Sequence, residues 1–117
     1  MKYMLLIYHE ESKSDTSDEK LMELMGQYAA YTNEMIEAGV FVATEGLQPT
    51  ATATTIQVRK GEMLTTHGPF AETKEQLGGF VLIECANLDE ALSWAAKCPN
   101  ALDGKIEVRP VADISQA

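Results

Sequence analysis

The sequence predicts an α+β fold of ferredoxin-like type, a split β-α-β repeat with a β-hairpin inserted in the middle. Two observations predict it. Each half of the chain carries a short apolar segment, an amphipathic helical pattern and a second extended segment. Between the halves, two extended segments flank a turn at Gly61. With 117 residues, the chain is long enough for a single domain, residues 1–117, and too short for two of ordinary size.

The first unit opens with the apolar run Tyr3–Tyr8, which is typical of a short buried strand. Thr16-Ser17-Asp18-Glu19 matches a capping box, in which the Thr oxygen accepts from an N3 amide and the Glu reaches back. The helix expected behind it has apolar residues at three- and four-residue steps: Leu21, Leu24, Met25, Tyr28, Tyr31, Met35 and Ile36. Gly39 tolerates a positive φ and should end this helix. Val40–Val42 then opens a second strand.

The inserted hairpin follows a linker that contains Pro49 and the run "TATATT". Thr55–Arg59 and Met63–Thr66 have the composition of short strands. Lys60-Gly61-Glu62 separates them, and its glycine supplies the positive φ that a tight hairpin turn requires.

The second unit repeats the first. Gly79–Cys85 is a buried strand by composition, and Asn87 should cap the next helix with Glu90 three residues on. Pro99 ends that helix, because the residue before a proline is forced out of helical backbone. Lys105–Arg109 alternates apolar and polar residues, so it predicts a last strand.

Two helices on one face of the sheet would leave the other face bare. A face that carries leucine, valine and isoleucine does not stay in water, so we expect a second copy of the chain to cover it. The predicted assembly is a homodimer with back-to-back sheets, the dimeric α+β barrel type.

Charge and hydropathy exclude several classes of protein. With 18 acidic and 9 basic residues the net charge is −9, which repels a nucleic-acid backbone or an anionic membrane, so neither is an expected partner. No apolar run approaches the roughly 20 residues that span a bilayer. The start of the chain has no secretory cleavage pattern, so a cytoplasmic location is expected.

No cofactor or metal is expected. The chain has neither a phosphate loop nor a GxGxxG fingerprint. Cys85 and Cys98 do not form a CxxC pattern, and with His9 and His67 they do not suggest a zinc site. The two cysteines are interpreted as small, mostly buried residues.

Thr66–Phe80 is the stretch whose composition exceeds what a connecting loop needs. Gly68-Pro69, followed by Phe70, is typical of a chain reversal at a strand end. Gly78-Gly79 allows a close backbone approach, either by a neighbouring strand or by a ligand.

Three charged residues of this stretch permit two interpretations. On a short helical turn, Glu72 and Glu75 would lie on one side with Lys74 between them, an arrangement suited to acid–base work on an anionic substrate. The alternative is an exposed ion-pair set of little energetic weight.

His67 would be a proton acceptor at a cleft mouth or a polar strand-end residue. Glu45, at the end of the second strand, would face the same pocket.

Four segments resemble one family in the right order along the chain: "MKYMLLIY", "EGLQPTATATT", "GPFAETKEQLGGF" and "IEVRPV". They are similar to the DGPF subfamily of YCII-related proteins. The resemblance implies small dimeric ferredoxin-like proteins, most of undefined activity, some of whose wider relatives are enzymes acting on small molecules.

Two departures from that family stand out. His67 occupies the position before Gly-Pro-Phe where the subfamily usually has Asp. Wider relatives carry a His in the first helix and an Asp before a Pro after the second, as a proposed catalytic dyad. Here Tyr28 or Tyr31 lies in the first neighbourhood and Cys98 precedes Pro99, so the dyad does not carry over.

Two hypotheses about function follow. In the first, the chain is a small-molecule enzyme or binder with its pocket near Thr66–Phe80 at the dimer cleft: His67 moves protons, Glu72 assists, and Lys74 orients an anion. Substrate contacts are expected from a wider set, comprising Glu45, Gly68, Pro69, Phe70, Lys74, Glu75, Gly78 and Gly79. In the second, the chain is a non-catalytic interaction module, and the resemblance implies an association with transcription regulators, to which the domain is linked in some relatives. The sequence names neither substrate nor reaction, and leaves open whether the chain is an enzyme.

Overall fold

A computed structural model describes residues 1–13 and 17–113. It contains six strands and two α-helices in the order β1 (Lys2–His9), α1 (Asp18–Glu37), β2 (Phe41–Gly46), β3 (Thr54–Arg59), β4 (Glu62–His67), β5 (Gln76–Glu84), α2 (Leu88–Ala96) and β6 (Lys105–Pro110). Short 3₁₀ turns lie at Glu11–Lys13, Thr50–Thr52 and Pro99–Ala101.

Four strands form an antiparallel sheet in the order β2-β5-β1-β6, while β3 and β4 pair as a separate hairpin. The first strands of the two β-α-β units lie side by side at the centre, and their last strands lie at the edges. The architecture is α+β with antiparallel sheets and is consistent with the predicted ferredoxin-like fold. Lys60 and Gly61 both have positive φ (52° and 79°), so they form the two-residue turn of the hairpin.

The helix ends largely follow the local signals. Gly39 has φ 74° just beyond α1, as predicted. The Asn87 side chain accepts from the amide of Glu90 at 3.0 Å and caps α2. The start of α1 was predicted one residue too early, because Ser17 is its N-cap and accepts from the amide of Lys20. Thr16, the predicted cap, lies outside the described residues.

The core lies between the sheet and the two helices. Alternate residues of β1 and β5 enter it, and they meet Tyr31 and Met35 of α1 and Trp94 of α2. The Tyr31 hydroxyl donates to the Trp94 carbonyl at 2.7 Å and ties the two helices together. Cys85 and Cys98 are free and buried, which confirms their interpretation as core residues.

The predicted apolar stripe of α1 packs only along its second half. Tyr31 and Met35 are buried, but Leu21 and Met25 remain 43% and 71% exposed. The first half of α1 therefore does not close onto the sheet, although the apolar stripe runs along the whole helix. Sequence periodicity defines an apolar face, but it does not ensure that another element reaches that face.

The opposite face of the sheet carries a half-buried apolar centre that neither helix covers: Met4, Leu6, Tyr8, Phe80 and Leu82.

Among the described residues, neither helix combines the length and apolar character of a membrane-spanning segment. The chain measures 48 × 46 × 19 Å with a radius of gyration of 16.4 Å. A compact chain of this length would have about 13 Å, so the chain is flat and extended.

Candidate functional site

A cleft of about 1580 Å³ opens between the first half of α1 and the end of the sheet where β1 and β2 finish and β5 and β6 begin. We call it the α1 cleft. Its walls include Leu21, Leu24, Met25 and Tyr28 of α1, the sheet-end residues His9, Glu45, Gly78 and Gly79, and Asn100 with residues 102–105. Ligand sites usually measure about 300–1000 Å³, so the α1 cleft has room for a small molecule and water.

His9, the last residue of β1, places its imidazole directly over Gly78. A Cβ at residue 78 would lie 2.5 Å from His9 Nε2 and 2.7 Å from Cδ2. Real Cβ atoms do not approach other atoms so closely, so the ring occupies this position only because residue 78 has no side chain.

Gly79 serves a different neighbour. A Cβ there would lie 2.7 Å from the carbonyl oxygen of Glu45 on β2. The missing side chain lets the β2 backbone come close at the end of the sheet, which places Glu45 on the cleft wall. Of the two approaches that the sequence left open, a neighbouring strand accounts for Gly79, and the His9 ring accounts for Gly78.

Two lysines at the cleft are held by carboxylates. Lys74 Nζ lies 3.5 Å from Glu10 Oε1, with the Lys74 side chain 81% exposed and that of Glu10 17% exposed. Lys105 Nζ pairs with Glu75 Oε1. Such pairs contribute about 0–1 kcal/mol because water screens them, so their main effect here is on the charge of the cleft wall.

Glu11 anchors the loop beside the cleft. Its two carboxylate oxygens accept from the amide and the hydroxyl of Thr50, at 2.9 and 2.8 Å. Its own amide donates to the side-chain oxygen of Gln76 at 3.0 Å, and the Gln76 amide group donates to the carbonyl of Thr73 at 2.6 Å. This network joins the segments after β1 and β2 to the start of β5.

A hydrogen-bonded chain lies along the other wall. The Tyr28 hydroxyl donates to Asn100 Oδ1 at 2.6 Å, and Asn100 Nδ2 donates to Asp103 Oδ1 at 3.2 Å. Tyr28 also contacts Cys98 Sγ at 3.3 Å. Burial, followed by the contact with Cys98, raises the pKa of Tyr28 far above its usual range, and burial also raises the pKa of Cys98. The Tyr28 hydroxyl therefore keeps its proton to higher pH than an exposed tyrosine does.

Half of the predicted site residues line the α1 cleft: Glu45, Lys74, Glu75, Gly78 and Gly79. The others do not. His67 ends β4, opposite Thr54 on the exposed hairpin, and Phe70 is 88% exposed. Gly68 and Pro69 form the reversal at the base of the hairpin, with Gly68 at φ 99° and its amide donating to the Ala53 carbonyl at 2.7 Å. Glu72 is exposed in the segment that follows.

The helical turn predicted to carry Glu72 and Glu75 was wrong, because residues 68–75 contain no helix. Thr73 folds the segment locally instead, and its hydroxyl donates to the Glu75 carbonyl at 2.6 Å. Glu75 faces Lys105 at the cleft, while Glu72 does not line it.

Sequence reasoning missed the side chains that complete the cleft, namely His9, Tyr28, Asn100 and Asp103. A histidine directly after a buried strand was a signal for the first. That signal alone does not place His9 in the cleft. The register of β1 and β5 does so, because it puts His9 opposite Gln76 and beside Gly78. Within the described ranges, no group of three or more His, Cys, Asp or Glu side chains could hold a metal ion.

Comparison with known proteins supports the YCII-related family and does not extend to the DGPF subfamily. The model of the YCII-related domain matches residues 1–115. An uncharacterized protein of Rhizobium meliloti (strain 1021) is 44% identical over 115 residues, which cover 96% of this chain and 93% of the relative.

Proposed function

Because this chain belongs to the YCII-related family, we propose that it is a small-molecule enzyme or binder whose ligand site is the α1 cleft. One observation supports this most directly. The cleft brings together the His9 imidazole, the Glu45 carboxylate and the exposed apolar face of α1 at the same end of the sheet. Glu45 has no ion-pair partner among the described residues. Convergent polar groups on a largely apolar cavity are the usual features of a ligand site.

His9 is the side chain in this cleft best suited to proton transfer, since an imidazole has one nitrogen that can accept a proton and one that can donate. Its ring lies in the space that a side chain at residue 78 would take, so the glycine keeps that place on the cleft wall open for the imidazole. Tyr28 supplies a hydroxyl at the opposite wall, where it donates to Asn100.

Catalytic roles for His67 and Glu72 stay predictions. Both residues lie outside the α1 cleft of their own chain. They would act on a ligand in a cleft only if a second copy brought its hairpin there.

We also propose that the chain forms a homodimer through the bare sheet face. Leu6 points away from the helices, because its neighbours Leu5 and Ile7 are buried beneath them, and it lies opposite Phe80. The charged side chains of Glu107 and Arg109 flank this apolar centre on β6. An apolar centre with a charged rim is typical of protein interfaces.

An interaction module is the second candidate function, and the hairpin favours it. Large apolar side chains on the hairpin and just after it are between 48% and 88% exposed: Ile56, Val58, Met63, Leu64 and Phe70. Exposed apolar groups in such number mark a surface that another molecule covers.

The test uses the two histidines as a matched pair. A thermal-shift screen of a metabolite library would be run on the wild type, His9→Ala and His67→Ala. A ligand of the α1 cleft should stabilise the wild type and His67→Ala, and its effect should be lost in His9→Ala. A ligand whose stabilising effect is lost in His67→Ala and kept in His9→Ala would show that the site lies at the hairpin instead. A screen without any ligand would favour the interaction module.

A further inference from the structure

We infer that the α1 cleft selects a cationic amphipathic small molecule, one with an ammonium head on an apolar chain or ring. This inference rests on the proposed function and names the ligand class for that site.

The charges on the cleft wall do not cancel. Among the described residues, six carboxylates and three lysines line it. Each lysine is already in an ion pair with a carboxylate of the same wall, and these pairs are Lys20–Glu23, Lys74–Glu10 and Lys105–Glu75. Three carboxylates therefore have no cationic partner among the described residues: Glu11, Glu45 and Asp103.

Two of these three carboxylates are occupied by neutral donors. Glu11 accepts from Thr50, and Asp103 accepts from Asn100. Glu45 is different, since it is exposed and no described side chain donates to it. Its backbone is held by the close approach to Gly79, so the carboxylate starts from a fixed point on the wall. Glu45 is the group that receives the cation.

The electrostatic field of the whole chain also favours a cationic ligand. The chain carries a net charge of −9, so a cation is drawn toward the protein and an anion is repelled. Lys74, the residue that would otherwise attract an anion, is neutralised by Glu10. An anionic substrate oriented by Lys74, as the sequence suggested, would compete with the Glu10 carboxylate for the same ammonium group.

The apolar half of the ligand has a matching surface. Leu21 and Met25 of α1 and Leu47 after β2 all line the cleft, and they are 43%, 71% and 53% exposed. A ligand chain lying on these side chains would remove both apolar surfaces from water. Met adapts its shape to varied ligands, which suits it to such a wall.

The probes are n-hexylamine, hexanoate and 1-hexanol, which share a chain and differ in the charge of the head. Protein labelled with ¹³C at the methionine methyls reports the site, because Met25 lines the cleft and Met63 lies on the hairpin. Hexylamine should shift the Met25 signal and leave Met63 unchanged. Hexanoate should bind about tenfold more weakly, as expected for loss of one charge-assisted contact.

The matched variants are Glu45→Gln in the cleft and Glu62→Gln on the hairpin. Glu45→Gln should weaken hexylamine about tenfold and leave hexanol unchanged, whereas Glu62→Gln should change neither. If hexanoate or hexanol binds at Met25 as tightly as hexylamine, the cation preference is wrong while the cleft remains the ligand site. If hexylamine leaves Met25 unmoved, the ligand class is wrong, and the library screen with His9→Ala decides the proposed function separately.

Discussion

The imidazole of His9 rests on the backbone of Gly78, so close that a Cβ at residue 78 would lie 2.5 Å from Nε2. The two residues come from adjacent antiparallel strands, β1 and β5, near an irregularity in their register between Ile7 and Tyr8. The contact explains one glycine of the Gly78-Gly79 pair and fixes the histidine at the wall of the α1 cleft.

Gly78→Ala should displace the His9 ring at little cost to folding. The clashing atoms are all at the far end of one side chain, which can turn away, so the free energy of unfolding should fall by no more than about 1 kcal/mol. Ligand binding in the cleft should nevertheless be lost. In a His9→Ala background, Gly78→Ala meets no ring and should lower the free energy of unfolding by less. Urea unfolding of the wild type, both single variants and the double variant measures this coupling. Equal costs in both backgrounds would show that the ring does not rest on residue 78.

Gly104→Ala should destabilise the fold much more than Gly46→Ala. A Cβ at residue 104 would clash with the carbonyl oxygen of Tyr8, which belongs to the backbone and cannot turn away, whereas a Cβ at residue 46 would have nothing within 4 Å. We expect Gly104→Ala to lower the free energy of unfolding by about 2 kcal/mol or more, and Gly46→Ala to change it by less than about 0.5 kcal/mol. Urea titrations of both variants compare them directly, and similar midpoints would contradict the close approach.

Stability should fall at alkaline pH because of the group around Tyr28. Burial raises the pKa of Tyr28, Tyr31 and Cys98 in the folded state. As the pH rises, the unfolded chain releases these protons first, from about pH 8.5 for the cysteine and about pH 10 for the tyrosines. Above those values each group lowers the free energy of unfolding by about 1.4 kcal/mol per pH unit. Below that range the contribution is fully present.

Tyr28→Phe separates this effect from the loss of a hydrogen bond. At neutral pH the variant should be about 1 kcal/mol less stable, because Asn100 loses its donor. Above pH 10 its stability should decline less steeply than that of the wild type. Urea unfolding across this pH range measures both slopes, and parallel curves would refute the linkage.

Leu6→Lys should convert the proposed homodimer into monomers. The substitution places a charge at the centre of the bare sheet face, beside Phe80, where a buried interface would have to desolvate it. Leu88→Lys on α2, where the leucine is already 46% exposed, should leave the dimer intact. Sedimentation velocity distinguishes the species. A monomeric wild type at micromolar concentration would rule out the proposed interface.

Local sequence signals predicted most of the fold. The apolar runs, the caps at Asn87 and Gly39 and the turn at Gly61 act over a few residues, and the structure places strands, helices and turns accordingly. The error at the start of α1 was one residue, because Thr16 and Ser17 are both capping residue types.

The sequence by itself determined the order of the elements, the acidic balance and the family, since these depend on composition and on spacing along the chain. Only the tertiary structure decided where the candidate site lies. It separated His67 from Lys74, which are close in sequence, and joined His9 to Gly78, which are distant. The physical reason is that strand register and the angle of α1 to the sheet come from packing between remote segments, and no local pattern encodes them.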